Sequence, residues 1–178
     1  MGPRKSNLDA IKTLREKTGA SLNDICKALE SAGDDEDRAL EFLRQRGAAI
    51  AEKRRDRATG QGRVGSYLHH DGRLGALVEV QCETDFVART PDFAQFCADV
   101  AMQVAAMRPR YVKKEDLSSG ADGAGDPKAI CLLEQPFVKD PKVSVGDLLK
   151  LLIAKTGESV VIQRFTRFAV GEAASGTL

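Results

Sequence analysis

Bond-making chemistry on a polypeptide calls for a nucleophile with its base, a metal-ligand cluster, or a glycine-lined phosphate cradle. The chain has two histidines, His69 and His70, and four cysteines, Cys26, Cys82, Cys97 and Cys131. A thiol enzyme would have to pair one imidazole with Cys82 or another thiol. No reactive-cysteine signature and no third group to orient the base accompany them, and surface histidines at a turn are the plainer reading. The cysteines form no CxxC pair, so no metal site is expected. Each stands in an apolar pattern, as a small buried hydrophobe does, which points to reduced thiols in a cytoplasmic protein. Glu79, Glu83 and Asp85 could in principle share acid–base work, yet no pocket motif flanks them. The glycines of GQGRVG, residues 60 to 65, precede a strand instead of opening a helix, the reverse of a phosphate-cradling loop. Direct nucleotide binding and a bound cofactor are therefore not expected.

One stretch stays unexplained by these exclusions. In CETDFVART, residues 82 to 90, an acidic side chain, Asp85, stands beside a large apolar one, Phe86, between a strand-like segment and a helix-like one. Two readings are open. Phe86 plugs the junction between the elements while Asp85 caps the turn, or an exposed Phe86 anchors in another protein's pocket with Asp85 orienting it.

The elements that must hold this corner follow from hydrophobic periodicity. Residues 7 to 47 read as three short helices: Leu8, Ile11 and Leu14 in the first; Leu22, Ile25, Cys26 and Leu29 in the second, capped by Ser21; Ala39, Leu40 and Leu43 in the third, begun by Asp34 or Asp35 and ended before Gly47. A bundle of this size has little room for a pocket and suits protein binding. Lys53, Arg54, Arg55 and Arg57 then make a basic segment, a solvated linker helix or a contact for RNA phosphates. Gly60 and Gly62 mark a boundary. From Arg63 the pattern turns to strands: RVGSYLHH and RLGALVEVQCE flank the turn pair Asp71–Gly72, with Leu74, Ala76, Val78, Val80 and Cys82 on one face. Thr90 and Pro91 cap a helix whose apolar stripe runs Phe93, Phe96, Cys97, Val100, Ala101, Val104, Ala105. The Gly- and Ser-rich run over 113–127 reads as a flexible loop. Ser144 opens a last helix before Gly157, and SVVIQRFTRFAV supplies a final strand. The expected class is α+β: a three-helix domain over 1–50, a basic linker over 51–62, and over 63–178 a small antiparallel sheet packed by helices.

Composition narrows the partners. The 178 residues carry 27 basic and 26 acidic side chains, a net charge of +1, which sets up no global field for nucleic acid or membrane. Tryptophan is absent and aromatics are 5%, too few for a base-stacking platform. No run approaches the length of a bilayer span, and MGPRKSNLDA leads into a charged helix with no apolar signal core, so a cytosolic protein without membrane contact is expected.

The motifs together resemble a known family. LREKTGASLNDICKALESAGDDEDRALEFLRQRG is similar to the ubiquitin-associated-like (UBA-like) domain of bacterial translation elongation factor Ts. VEVQCETDFVART resembles that family's signature, and QPFVKD and VVIQRFTRF its later core segments. The resemblance implies a guanine-nucleotide exchange factor for elongation factor Tu, with no bond chemistry of its own. It further implies that Thr84, Asp85, Phe86 and Val87 disturb the magnesium site of Tu. Leu22 matches the family's N-terminal contact turn, with Asn23 where an apolar residue is common, and His69 and His70 are the candidates for a contact of the core. A Gly-rich loop replaces the family's longer helical insertion before QPFV, and a single core repeat implies a homodimer. The competing class is an RNA-associated or ubiquitin-like protein-binding adaptor, which has no need of the Asp85–Phe86 corner.

Overall fold

A computed structural model of the chain describes residues 5–117 and 125–172. It is a mixed α+β structure, and its described residues divide into two compact units. The first comprises residues up to Ala58 together with Leu149–Ser159, and the second Thr59–Leu148 and the residues from Val160 onward. A linear division at residue 63 does not express this, because the stretch 149–159 groups with the N-terminal helices.

In the first unit, α1 (Lys5–Thr18), α2 (Leu22–Ala32) and α3 (Glu36–Lys53) follow the apolar spacing. Ser21 accepts from the Asp24 N–H to cap α2, and Asp35 accepts from the Arg38 N–H to cap α3, each relieving a donor that the helix itself leaves unpaired. Leu14, Ile25, Ala28, Leu29, Ala39 and Leu43 are buried in one cluster with Leu151, from α7 (Val145–Thr156). Leu8 and Leu22, which share the periodicity, stay 54% and 52% exposed.

Gly47 does not end the third helix; α3 runs on to Lys53. The physical reason is packing. Gly47 is buried, and a Cβ there would land on the Lys150 carbonyl of α7, so the glycine serves a close approach of two backbones instead of a stop. Of the linker expected over 51–62, α3 takes Ala51–Lys53 and the first strand begins at Gln61.

In the second unit, β1 (Gln61–Leu68), β2 (Leu74–Cys82) and β5 (Val160–Ala169) form an antiparallel sheet in the order β1-β2-β5. Ala76, Val78, Val80 and Cys82 point to one face and are buried. Against that face lies α5 (Pro91–Met107), whose Phe93, Phe96, Cys97, Val100, Ala101, Val104 and Ala105 are all buried. Helix and strand β1 come close at Gly65, where a Cβ would sit 2.6 Å from the Cys97 carbonyl oxygen. The opposite face is uncovered by any described element of this unit. Its rows cross the strands as Val64–Glu79–Arg164, Ser66–Leu77–Thr166 and Leu68–Gly75–Phe168.

The segment after α5 is tied down by two buried amides. Gln103 accepts from the Val138 N–H at 2.8 Å and donates to the Pro136 carbonyl, and Gln135 donates to the Ala129 carbonyl at 2.8 Å. These bonds hold the small hairpin of β3 (Pro136–Phe137) and β4 (Asp140–Ser144) beside α5. Ser144 then caps α7 through the Asp147 N–H, with Asp147 accepting from the Ser144 N–H in return. Of the loop expected over 113–127, residues 118–124 lie outside the described residues. Lys114–Asp116 form one 3-10 turn, and Asp126 caps the single turn α6 (Pro127–Ile130).

Substituting Gly47→Ala tests the close approach. Helix propensity alone would favour alanine by about 1 kcal/mol, whereas overpacking against rigid backbone costs about 1–3 kcal/mol. A net loss of stability in urea unfolding is expected, and a stabilised variant would contradict the packing role.

Candidate functional site

Strand β2 ends at Cys82 and α5 begins at Pro91, and the residues between them make one helical turn, α4 (Asp85–Ala88). Thr84 caps it, its hydroxyl accepting from the Val87 N–H at 3.4 Å. Asp85 is therefore the first helical residue and not the cap. Its carboxylate pairs with Arg89 at 3.0 Å, one turn along. Phe86 does not plug the junction: it is 81% exposed, the most exposed of the large apolar side chains described. Ala88 and Cys82 are the buried residues of the corner, and the Cys82 thiol donates to the Thr84 carbonyl at 3.2 Å.

The alternation of the sequence explains this outcome. Cys82 lies on the inner face of β2 and Phe93 on the inner stripe of α5, so the junction is already filled from both sides. In a single turn, Phe86 and Ala88 cannot both face inward. The smaller Ala88 takes the inside, and the ring is left in solvent.

His69 and His70 sit in the β1–β2 loop, their rings 4.3 Å apart, with the Tyr67 hydroxyl 3.0 Å from His69 Nδ1. That loop and the α4 corner lie at opposite ends of β2, roughly 25 Å apart at about 3.4 Å per residue. The structure thus does not bring His69 and His70 to Asp85 and Phe86. It also separates both imidazoles from Cys82, which leaves no thiol–imidazole pair there. Burial pushes the Cys97 thiol up to about 12, keeping it protonated and inert. None of the four cysteines is in a disulfide, and Cys82, Cys97 and Cys131 are buried.

The acids are engaged as well. Glu79 bonds Arg164 at 2.6 Å and Gln81 at 2.7 Å, and the Arg164 bond chiefly holds its carboxyl below the ordinary range. Among the described residues no group of three or more His, Cys, Asp or Glu side chains is placed to hold a metal ion. No described helix is long and apolar enough to cross a membrane.

Leu22 and Asn23 lie in the first unit, in the first turn of α2, and both are exposed. Asp24, the next residue, contacts the Arg46 guanidinium. Partial burial pushes the Asp24 pKa up, but the bonds from Arg46 and Ser21 outweigh it and hold the carboxyl below its ordinary 3.8.

Sequence reasoning missed the Thr84 cap and the Asp85–Arg89 pair. Both had local signals: a threonine three residues before the N–H it caps, and opposite charges four apart.

The α+β scaffold thus presents an exposed aromatic beside a paired acid, on a turn set between a strand and a helix. A family model for elongation factor Ts matches residues 8–121. The chain is 44% identical to elongation factor Ts of Carboxydothermus hydrogenoformans, over 91% of this chain and 88% of the relative. It is 42% identical to that of Rubrobacter xylanophilus, over 92% and 98%, and 43% identical to that of Thermotoga petrophila, over 93% and 96%. The chain belongs to the elongation factor Ts family, a family of translation elongation factors.

The Asp24–Arg46 pair has a pH signature. A carboxyl with a depressed folded pKa adds stability that is fully present above its unfolded value. That stability is lost as pH falls from about 4 through the lower folded value. Arg46→Ala is expected to lower stability at pH 7 and to flatten the acid limb of the stability profile. An unchanged acid limb in urea titrations would contradict the pair's contribution.

Proposed function

We propose that the chain promotes GDP release from elongation factor Tu by bringing Phe86 and Asp85 against the surroundings of Tu's magnesium ion. The observation that carries this reading is the 81% exposure of Phe86 on a turn fastened at both ends. Family membership supplies the partner. Mg²⁺ requires near-ideal octahedral geometry and tolerates displacement of its ligands poorly. A ring buried between Tu elements stabilises a conformation in which that geometry is spoiled. Full burial of a phenylalanine is worth roughly 1.5–3 kcal/mol, about ten- to a hundredfold in nucleotide affinity at ~1.4 kcal/mol per decade. Asp85 adds steric and electrostatic disturbance next to the metal. Coupling is reciprocal: nucleotide must weaken factor binding as much as the factor weakens nucleotide binding. No bond in the nucleotide is made or broken.

The rest of the chain provides grip in this reading. Leu22, exposed in the first turn of α2, is an apolar contact, with the polar Asn23 beside it. His69 and His70 offer a separate contact at the far end of β2. The cytoplasm, where translation proceeds, is the proposed location.

A second copy of the chain is the proposed occupant of the open sheet face. Leu68, Leu77 and Phe168 there are 71%, 45% and 69% exposed and line a depression of about 500 Å³. Antiparallel sheets normally turn polar residues to water, and two such apolar faces can stack about 10 Å apart.

Release of a fluorescent GDP analogue from purified Tu tests the exchange reading. Acceleration by the chain is expected, with Phe86→Ala and Asp85→Ala each slowing it while the fold persists. No acceleration by the wild-type chain would sink the reading; full activity of Phe86→Ala would sink the wedge alone. For the second copy, light scattering should give a dimer mass that Phe168→Lys reduces to a monomer. A monomeric wild type at micromolar concentration would overturn it.

A further inference from the structure

We propose that Thr90 is a positioning residue for the Phe86 wedge, acting as a clamp between α4 and α5; this rests on the exchange reading above. A four-residue helix has no stability of its own, since an isolated helix needs roughly 12–15 residues to persist in water. The direction of Phe86 therefore depends on whatever fastens the turn. The exposed ring receives little packing support, so the backbone beneath it sets where it points.

Fastening comes from two threonines. At the front, Thr84 accepts from the Val87 N–H at 3.4 Å. At the back, the Thr90 hydroxyl donates to the Val87 carbonyl at 2.8 Å, and the Thr90 N–H donates to the same oxygen at 3.0 Å. The Thr90 oxygen also accepts from the Phe93 N–H at 3.3 Å, which makes it the N-cap of α5. One hydroxyl thus uses its donor on the turn and its acceptor on the helix. Val87, next to Phe86, is held through both of its backbone polar groups, its N–H by Thr84 and its C=O by Thr90. Because the apolar stripe of α5 is buried against the sheet, the clamp ties the turn beneath the ring to a packed helix. Pre-setting the ring's direction removes an ordering cost that docking would otherwise carry.

The two roles of Thr90 separate by substitution. Thr90→Asp keeps an acceptor for the helix cap but has no proton to donate to Val87. Thr90→Ser keeps both functions, and Thr90→Val keeps neither. The measurements are stimulated GDP release from Tu, thermal melting, and amide hydrogen exchange of residues 85–90 in the free chain. The clamp requires that Thr90→Asp melt near wild type yet slow stimulated release about three- to tenfold, the scale of one net hydrogen bond. Its turn amides should exchange faster than wild type. Thr90→Val should lose activity at least as much and melt lower, and Thr90→Ser should stay within about twofold of wild type. In a Phe86→Ala background, Thr90→Asp should add no further loss. Wild-type release and amide exchange in Thr90→Asp overturn the proposal, as does an undiminished loss when Phe86 is already alanine. A wild-type chain that leaves GDP release unchanged overturns the exchange reading, and with it any role of Thr90 in exchange. The amide-exchange arm then decides the clamp by itself.

Discussion

The inner face of β2 and the apolar stripe of α5 are consecutive in sequence and packed on each other in space. Ala76, Val78, Val80 and Cys82 meet the side of the unit that buries Phe93, Phe96, Cys97, Val100 and Val104. Because both elements are immobilised, the chain between Cys82 and Pro91 has fixed ends and little slack. A short connection between fixed ends is a stiff one. It adopts a single capped turn, and its largest side chain is the one that finds no room inside. The exposure of Phe86 thus follows from the completeness of the core behind it, and the Thr84 and Thr90 bonds fasten the turn that carries it.

The same core limits the chemistry the unit can do. The cysteines that might have been nucleophiles sit at 0–1% exposure in this unit, and burial raises the thiol of Cys97 far above neutrality. Acids on the surface are committed to arginines, Glu79 to Arg164 and Asp85 to Arg89. Such exposed pairs contribute little stability, ~0–1 kcal/mol, so an approaching partner can exchange them at small cost. A surface of this kind suits recognition by shape and charge.

The first unit reaches a similar end by other means. Its three N-terminal helices bury small residues, Ala28 and Ala39 among them, which lets the helices approach closely. The contribution of α7 through Leu151, and the bare approach of Gly47 to Lys150, complete that core with residues from far along the chain. A bundle closed in this way leaves Leu22 outside, exposed in the first turn of α2.

Local rules were enough for much of this molecule. Ser21, Asp35, Thr90 and Ser144 cap the helices their positions announce, β2 alternates as written, and the α5 stripe is buried throughout, because capping and periodicity involve residues only a few positions apart. The sequence by itself therefore determined the α+β class, the elements on either side of the corner and the family. Three things were decided by tertiary structure. Gly47 became the interior of a helix because a backbone more than 100 residues later packs against it. The stretch 149–159 joined the N-terminal helices because Leu151 and Lys150 pack on residues far from them in sequence. And whether Phe86 plugs the junction or lies exposed turned on how much space Cys82, Ala88 and Phe93 left between them, a question of volume that only packing in three dimensions can answer.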